Sequence, residues 1–364
     1  MIHRSKTRTA LVCGAALAVC VAAPSIAADL DGLGLNQVRM LGSHNSYRPY
    51  PSPTTQARLR TVFPKDWPTL DYGNPPLESQ LALGLHQFEI DVAADPKGGL
   101  FAGPYAEATP EVRALMNEPG AKVVHIAGVD YNVHCLTFRQ CLGVFARWSD
   151  DHPNHDPIVI LVNSVDQDAI PGFWPKADVL ERADIDGLNA DIEQVMGKAR
   201  VITPDDVRGQ FPTLRAAALA KAWPTVAQAR GKFMFVLDGS AMHETYLRDG
   251  HPSLRGRMMF GWFDEDQPEA AIFSLGDPIA DLARIRRLVG EGFMVRTRAD
   301  ENTVEARHHD GRRMKAALTS GAQIISTDYY PGVPDPEGLG YTADFEGPML
   351  RCDEVTMANC PAVH

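Results

Sequence analysis

Two short stretches hold side chains whose types and spacing suit chemistry. The first is Leu41-Gly42-Ser43-His44-Asn45-Ser46-Tyr47, and the second is Gln87-Phe88-Glu89-Ile90-Asp91-Val92. In the second, Phe88, Ile90 and Val92 alternate with Gln87, Glu89 and Asp91. Alternate residues of a strand share a face, so the two carboxylates point the same way. In the first, the run through Met40 reads as a strand, and the apolar-to-polar switch at Gly42 puts His44 and Asn45 just past its C-terminal end. An imidazole, an amide oxygen and two carboxylates are what a hard cation and a phosphoester need. Oxygen ligands favour calcium or magnesium over zinc, and an imidazole beside them suits acid–base work.

The elements that must position these groups alternate along the chain. A strand ending near Leu41 and one over 87–92 are followed by strand patterns at 121–126, 157–162, 232–238, 257–263, 293–298 and 323–327. Helical spacing is expected over 75–83, 136–148, 183–222 (with breaks at Gly187, Gly197 and Pro212), 278–289 and 310–318. Segment 46–74 has several prolines and no clear period, so it is expected as a surface loop over a site. Alternating strands and helices imply a parallel sheet. Eight such units over about 300 residues predict a closed TIM-type (β/α)8 barrel within the α/β class. No glycine-rich dinucleotide fingerprint follows the first strand, which weighs against an open doubly wound sheet.

A barrel of this kind carries its active site at the C-terminal ends of the strands. The polar residues there are His44 and Asn45, Glu89 and Asp91, His125, Asn163 with Asp166, Asp238, then Arg296, Arg298 and Asp300, and finally Thr327, Asp328 and Tyr329. Asn45, Glu89, Asp91 and Asn163 offer four oxygens to a cation. His44 and His125 suit proton transfer, and Arg296 or Arg298 suits a phosphate. Asp238 and Tyr329 complete the rim as candidate substrate contacts, although Asp238 also suits a helix cap. Arg307, His308 and His309 read as surface residues, and His134 as structural. The set points to phosphodiester cleavage.

Composition bounds the setting. The chain has 364 residues, 45% of them hydrophobic and 22% charged, which is ordinary for a globular protein. Arg4, Lys6 and Arg8, followed by an apolar run from Ala10 to Ala23, predict a secretory signal over 1–28. The barrel is expected over 29–330, and 331–364 as an irregular tail packed on it. Losing the signal's three cations takes the formal charge from −11 to −14, which argues against nucleic acid as a partner. Cys135, Cys141, Cys352 and Cys360 remain, an even number in a secreted or periplasmic protein, so disulfides are expected. Of the three connectivities, Cys135–Cys141 with Cys352–Cys360 closes the shortest loops. The spacings are too loose for zinc, and no paired histidines flank them. A monomer is expected.

The ordered motifs resemble the secreted bacterial calcium-dependent phosphoinositide-specific phospholipases C. The resemblance rests on Gly42-Ser43-His44-Asn45-Ser46-Tyr47, Phe88-Glu89-Ile90-Asp91-Val92 and Val123-Val124-His125, then Trp148-Ser149-Asp150 and Gly231-Lys232. It continues through Val295-Arg296-Thr297-Arg298-Ala299-Asp300 to Ser326-Thr327-Asp328-Tyr329. It implies that His44 stabilises charge on the phosphate and that His125 is the acid for the leaving alcohol. It also implies that Asn45, Glu89 and Asp91 bind calcium, with Glu89 also a candidate base. The inositol 2-hydroxyl would attack phosphorus, giving a cyclic phosphate and diacylglycerol, with transient contact at a membrane surface, where Phe63 and Trp67 could touch lipid. The family usually has a glutamate, often followed by Leu-Lys-Asp, where this chain has Asn163-Ser164-Val165-Asp166. A neutral oxygen there predicts weaker calcium binding. The alternatives on the same scaffold are a phosphodiesterase acting on glycerophosphodiesters or sphingomyelin-like lipids, and a barrel that binds lipid or phosphate without turnover.

Overall fold

The computed structural model describes residues 30–361 apart from 169 and 174; the segment expected as a signal lies outside the described residues. Ten strands form one sheet: β1 (Val38–Ser43), β2 (Gln87–Ala93), β3 (Lys122–Val123), β4 (Ile158–Ser164), β5 (Phe233–Asp238), β6 (Met259–Gly261), β7 (Ile272–Ser274), β8 (Met294–Arg298), β9 (Ile324–Thr327) and β10 (Leu350–Cys352). Eight of them run parallel in the order β6-β5-β4-β2-β1-β9-β8-β7, and a parallel bridge between Trp262 and Ile272 brings the two ends nearly together. The result is a TIM-type (β/α)8 barrel. The run Ile158 to Val162 is buried throughout, as a parallel strand covered on both faces must be.

Four expectations change. The segment 121–126 is not a barrel strand: it yields only β3, which pairs antiparallel with the end of β2. Lys122 explains why. Its ammonium is buried and held by Asp95 at 3.1 Å and by the Glu118 and Gly120 carbonyls, a set a barrel-wall position cannot supply. The missing barrel strand is β7, whose three residues are too few to show a period. Segment 46–74 holds a helix, Pro53–Val62, capped by Ser52 with proline at its first position. It buries only Thr55 and Leu59, so it leaves no apolar stripe to read. Gly187 does not break its helix, which runs Arg182–Met196 and stops at Gly197, where φ is 74°. The tail is not wholly irregular, because β10 pairs antiparallel with the first half of β1. Disulfides join Cys135 to Cys141 and Cys352 to Cys360.

Gly42 sets the approach of β1 to β2. A Cβ there would lie 2.3 Å from the Gln87 carbonyl oxygen. The glycine therefore lets the end of β1, and the His44–Asn45 turn after it, close against the strand that carries both carboxylates.

Candidate active site

The turn after β1 is held by buried amides and hydroxyls. Ser43 Oγ donates to Gln80 Oε1 (2.6 Å), Gln80 Nε2 donates to the Ser46 carbonyl (2.7 Å), and the Glu89 backbone N–H donates to Ser46 Oγ (2.8 Å). Asn74 Nδ2 donates to the carbonyls of His44 (3.0 Å) and Asn45 (2.9 Å). Asn45 sits at φ 45°, a left-handed conformation that asparagine tolerates better than most residues. Its Nδ2 donates to Tyr72 Oη (2.7 Å), and its buried Oδ1 has no partner.

Both histidines are oriented through Nδ1. His44 Nδ1 donates to Asp328 Oδ1 at 2.9 Å, and His125 Nδ1 donates to Asp130 Oδ2 at 2.9 Å. These bonds select the tautomer that leaves Nε2 as the free base. Tyr72 lies between the two rings, stacked on His44 (5.6 Å) and edge-on to His125 (6.3 Å). Burial, with Arg298 second, holds His44 well below the usual imidazole value; burial, with Arg48 second, lowers His125. Asp130 would be pushed up by its burial, but Arg48 (Nε to Oδ2, 2.7 Å) and His125 together hold it well below the usual carboxylate range. Arg48 is itself clamped by the carbonyls of Tyr72 and Leu70.

The carboxylates lie across the barrel mouth. Asp91, Asn163 and Asp238 are in register on β2, β4 and β5. Asp91 accepts from Tyr47 Oη (2.8 Å) and from Asn163 Nδ2 (3.1 Å). Burial, reinforced by Glu89, raises its pKa well above the usual carboxylate value. Glu89 Oε1 lies 3.8 Å from His44 Nε2, and its Oε2 accepts from Arg296 Nη2 at 3.1 Å. Arg298 packs on His44, with Nη1 3.4 Å from its Nε2 and Nη2 3.5 Å from Asp328 Oδ2; its buried Nε has no partner.

The sequence-predicted residues thus divide. His44, Asn45, Glu89, Asp91, His125, Asn163, Arg296 and Arg298 gather in one connected constellation. Asp238 joins its edge by register with Asn163, near enough to act electrostatically on Asp91 and Arg296, and it does not cap the following helix, whose capping box is Ser240 with His243. Tyr329 takes a different place: its ring packs edge-on against Tyr341 (5.4 Å) in a small cluster with Ala306, and its hydroxyl has no partner. Asn163 is used here as a hydrogen-bond donor to Asp91, with its amide nitrogen rather than its oxygen facing the carboxylate. His125 arrives on the turn after β3, where a bridge between Ile126 and Asp130 folds the chain back on itself. Sequence reasoning gave no role to Arg48, Tyr72, Asn74 or Asp130, which lie in loops without a period. Asp328 was visible as a strand-end acid, but its bond to His44 spans 284 residues.

Among the described residues no three His, Cys, Asp or Glu side chains are grouped so as to hold a metal by themselves. The oxygen set nevertheless suits a hard cation. Two neighbouring carboxylates and the orphaned, buried Asn45 Oδ1 are donors of the type calcium takes. Calcium sites complete such partial sets with substrate and water.

Comparison with known proteins gives a family and a fold. A sequence model of the family described as phosphoinositide phospholipase C, Ca2+-dependent, matches residues 33–353. The fold is similar to a calcium-dependent phosphoinositol-specific phospholipase C from the Gram-negative bacterium Pseudomonas sp., with 14% identity, TM-score 0.55, and 90% of this chain and 99% of that one covered. It is also similar to a Ca2+-dependent phosphatidylinositol-specific phospholipase C from Streptomyces antibioticus, with 17% identity, TM-score 0.53, and coverage of 82% and 95%. No curated protein sequence matches the chain. With a family match spanning nearly all of the barrel, the chain belongs to the Ca2+-dependent phosphoinositide phospholipases C, enzymes that cleave phosphoric diesters.

Proposed function

We propose that this protein cleaves the glycerol–phosphate ester of phosphatidylinositol by attack of the inositol 2-hydroxyl, releasing diacylglycerol and an inositol cyclic phosphate. The observation that carries the reading is the pair of imidazoles, each turned by a carboxylate on Nδ1 and each offering Nε2, on either side of Tyr72 and next to Glu89. A calcium ion held by Asn45, Glu89 and Asp91 would lower the pKa of the attacking hydroxyl and neutralise charge at phosphorus. Glu89 takes the hydroxyl proton. His44, which takes up a proton on Nε2 as the phosphodiester anion arrives, and Arg298 donate to the phosphate oxygens. A phosphodiester anion beside His125 offsets the repulsion from Arg48, so the ring takes up a proton and passes it from Nε2 to the departing glycerol oxygen. Asp130 and Asp328 are positioning residues, which fix the rings and touch no substrate. Magnesium prefers a tighter octahedron than this mixed set offers, so calcium is the natural ion.

The substrate lies in a bilayer, and the rim suits contact with one. The helix and turn after β1 carry Arg58, Arg60 and Lys65 with no acid between Ser52 and Lys65, although the whole chain is at −11. Arg60 lies over Trp67 at 4.2 Å. The adjoining turn before helix Val304–His308 docks on this segment through Thr303 Oγ1 to the Pro68 carbonyl (2.9 Å) and leaves Val304 exposed. Two disulfides fit an oxidising compartment outside the cytoplasm.

The test is release of water-soluble phosphorus from vesicles of phosphatidylinositol, sphingomyelin or phosphatidylcholine, and of free choline or glycerol from glycerophosphocholine in solution, with calcium titrated. Turnover of phosphatidylinositol alone, needing calcium well above the micromolar range because Asn163 brings no charge, is the expected outcome. Preference for glycerophosphocholine or sphingomyelin overturns the headgroup assignment, and binding without turnover overturns the enzyme.

A further inference from the structure

The ion pair inside the barrel mouth bears on how a cation gets in. We propose that Arg296 is the resident counter-ion of the cation site: its guanidinium holds Glu89 in the metal-free protein, so a divalent ion enters by exchange with, or against, that guanidinium, and Arg296 sets how tightly the ion is held. The inference rests on the reading of Glu89 as a cation ligand.

The contacts define it. Arg296 Nη2 donates to Glu89 Oε2 at 3.1 Å, with the two side chains 8% and 5% exposed. Its Nε donates to Ser326 Oγ on β9 (3.0 Å) and its Nη1 to Ser274 Oγ on β7 (3.5 Å). Ser326 Oγ in turn donates to Gln87 Oε1 at 2.7 Å, on the strand that carries Glu89. The guanidinium is therefore clamped by three strands beside β8, and each of its nitrogens has a partner. Three of its five N–H groups are engaged and its side chain is 8% exposed, so it offers little to a phosphate arriving from solvent. Arg298, whose side chain is 12% exposed and whose Nη1 lies 3.4 Å from His44 Nε2, is better placed for that task.

The rest of the site is also self-satisfied. Asp91 is taken by Tyr47 and Asn163, and Glu89 Oε1 looks towards His44. Among the described residues, the buried oxygen left without a partner beside these carboxylates is Asn45 Oδ1. A buried carboxylate without a counter-charge is costly, and here an arginine meets that need before any metal does. A doubly charged ion on the same carboxylate then meets a positive guanidinium across a few ångströms of low-dielectric interior, where repulsion is strong. Charge count at the ligands tunes calcium affinity, and Arg296 lowers the effective count by one. Asn163 weakens the site by omitting a charge, and Arg296 weakens it by neutralising one.

The test is calorimetric titration of calcium into the mature protein and its Arg296→Gln variant, with thermal unfolding followed in chelator and in calcium. Arg296→Gln is expected to bind calcium at least tenfold more tightly and to melt below wild type in chelator, with a larger upward shift when calcium is added. Arg296→Lys keeps the charge and is expected to bind near the wild-type strength. A variant that folds only with calcium present shows the same exchange through stability and supports the proposal. Equal or weaker calcium binding by folded Arg296→Gln overturns it, as does failure to fold at any calcium concentration. Absence of calcium binding in wild type and variant alike overturns the reading of the site, and the exchange with it.

Discussion

Replacing His44 or His125 with alanine is expected to lower kcat about 10²–10⁴-fold, the range in which a positioned acid or base contributes. The two losses should differ in kind. In the proposed mechanism His125 serves the leaving alcohol, so a substrate with a good leaving group, such as an aryl ester of inositol phosphate, should recover much of the rate in His125→Ala and little in His44→Ala. Both rings are lowered from the usual imidazole value by burial, with Arg48 and Arg298 as second causes. A group of lowered pKa loses its proton earlier as pH rises. The profile of kcat/KM, which reports the free enzyme, should therefore fall on its basic side from below pH 6.5. Asp130→Asn removes the carboxylate that favours the charged ring, so that limb should shift to still lower pH. A limb that stays put makes Asp130 structural only.

The second large effect is on the fold. Gly42→Val should destabilise the protein by about 3 kcal/mol, the upper part of the range for overpacking, read as a fall in the urea midpoint. The new side chain meets backbone, the Gln87 carbonyl oxygen at 2.3 Å, and so cannot be relieved by a rotamer change. The strands must part instead, and β1 carries His44 and Asn45 away from Glu89. Activity should fall further than the folded fraction does. Gly187→Ala is the contrasting change. Its Cβ meets nothing within 4 Å inside the helix Arg182–Met196, so about 0.5–1 kcal/mol of stabilisation is expected.

These two predictions mark what the chain displays in its order and what it hides. The alternation at 87–92 was readable because a strand half-lined by polar groups writes its two faces into consecutive residues. The run Ile158 to Val162 was readable because a strand buried on both sides has nothing else to be. Gly42 beside His44 was legible as a strand end, but not as the closest approach of two strands, which depends on the residue opposite. Segment 121–126 looked like a third barrel strand because it is apolar, and the buried Lys122–Asp95 pair that turns it aside is a tertiary fact. The positioning acids were hardest. Asp130 lies in a turn without periodicity, and Asp328 meets His44 only because β1 and β9 are neighbours in the barrel. Arg296 is legible as a strand-end cation, a position that suggests contact with substrate. Only the structure shows it turned inward onto Glu89.

The proposed reaction is tested most directly by following phosphorus-31 signals while the protein acts on phosphatidylinositol vesicles, in calcium and in excess chelator. The expected record is an inositol 1,2-cyclic phosphate resonance that appears first in calcium, precedes any monophosphate, and is absent in chelator. A monophosphate formed from the outset, with no cyclic precursor, or the same rate in chelator, would contradict it.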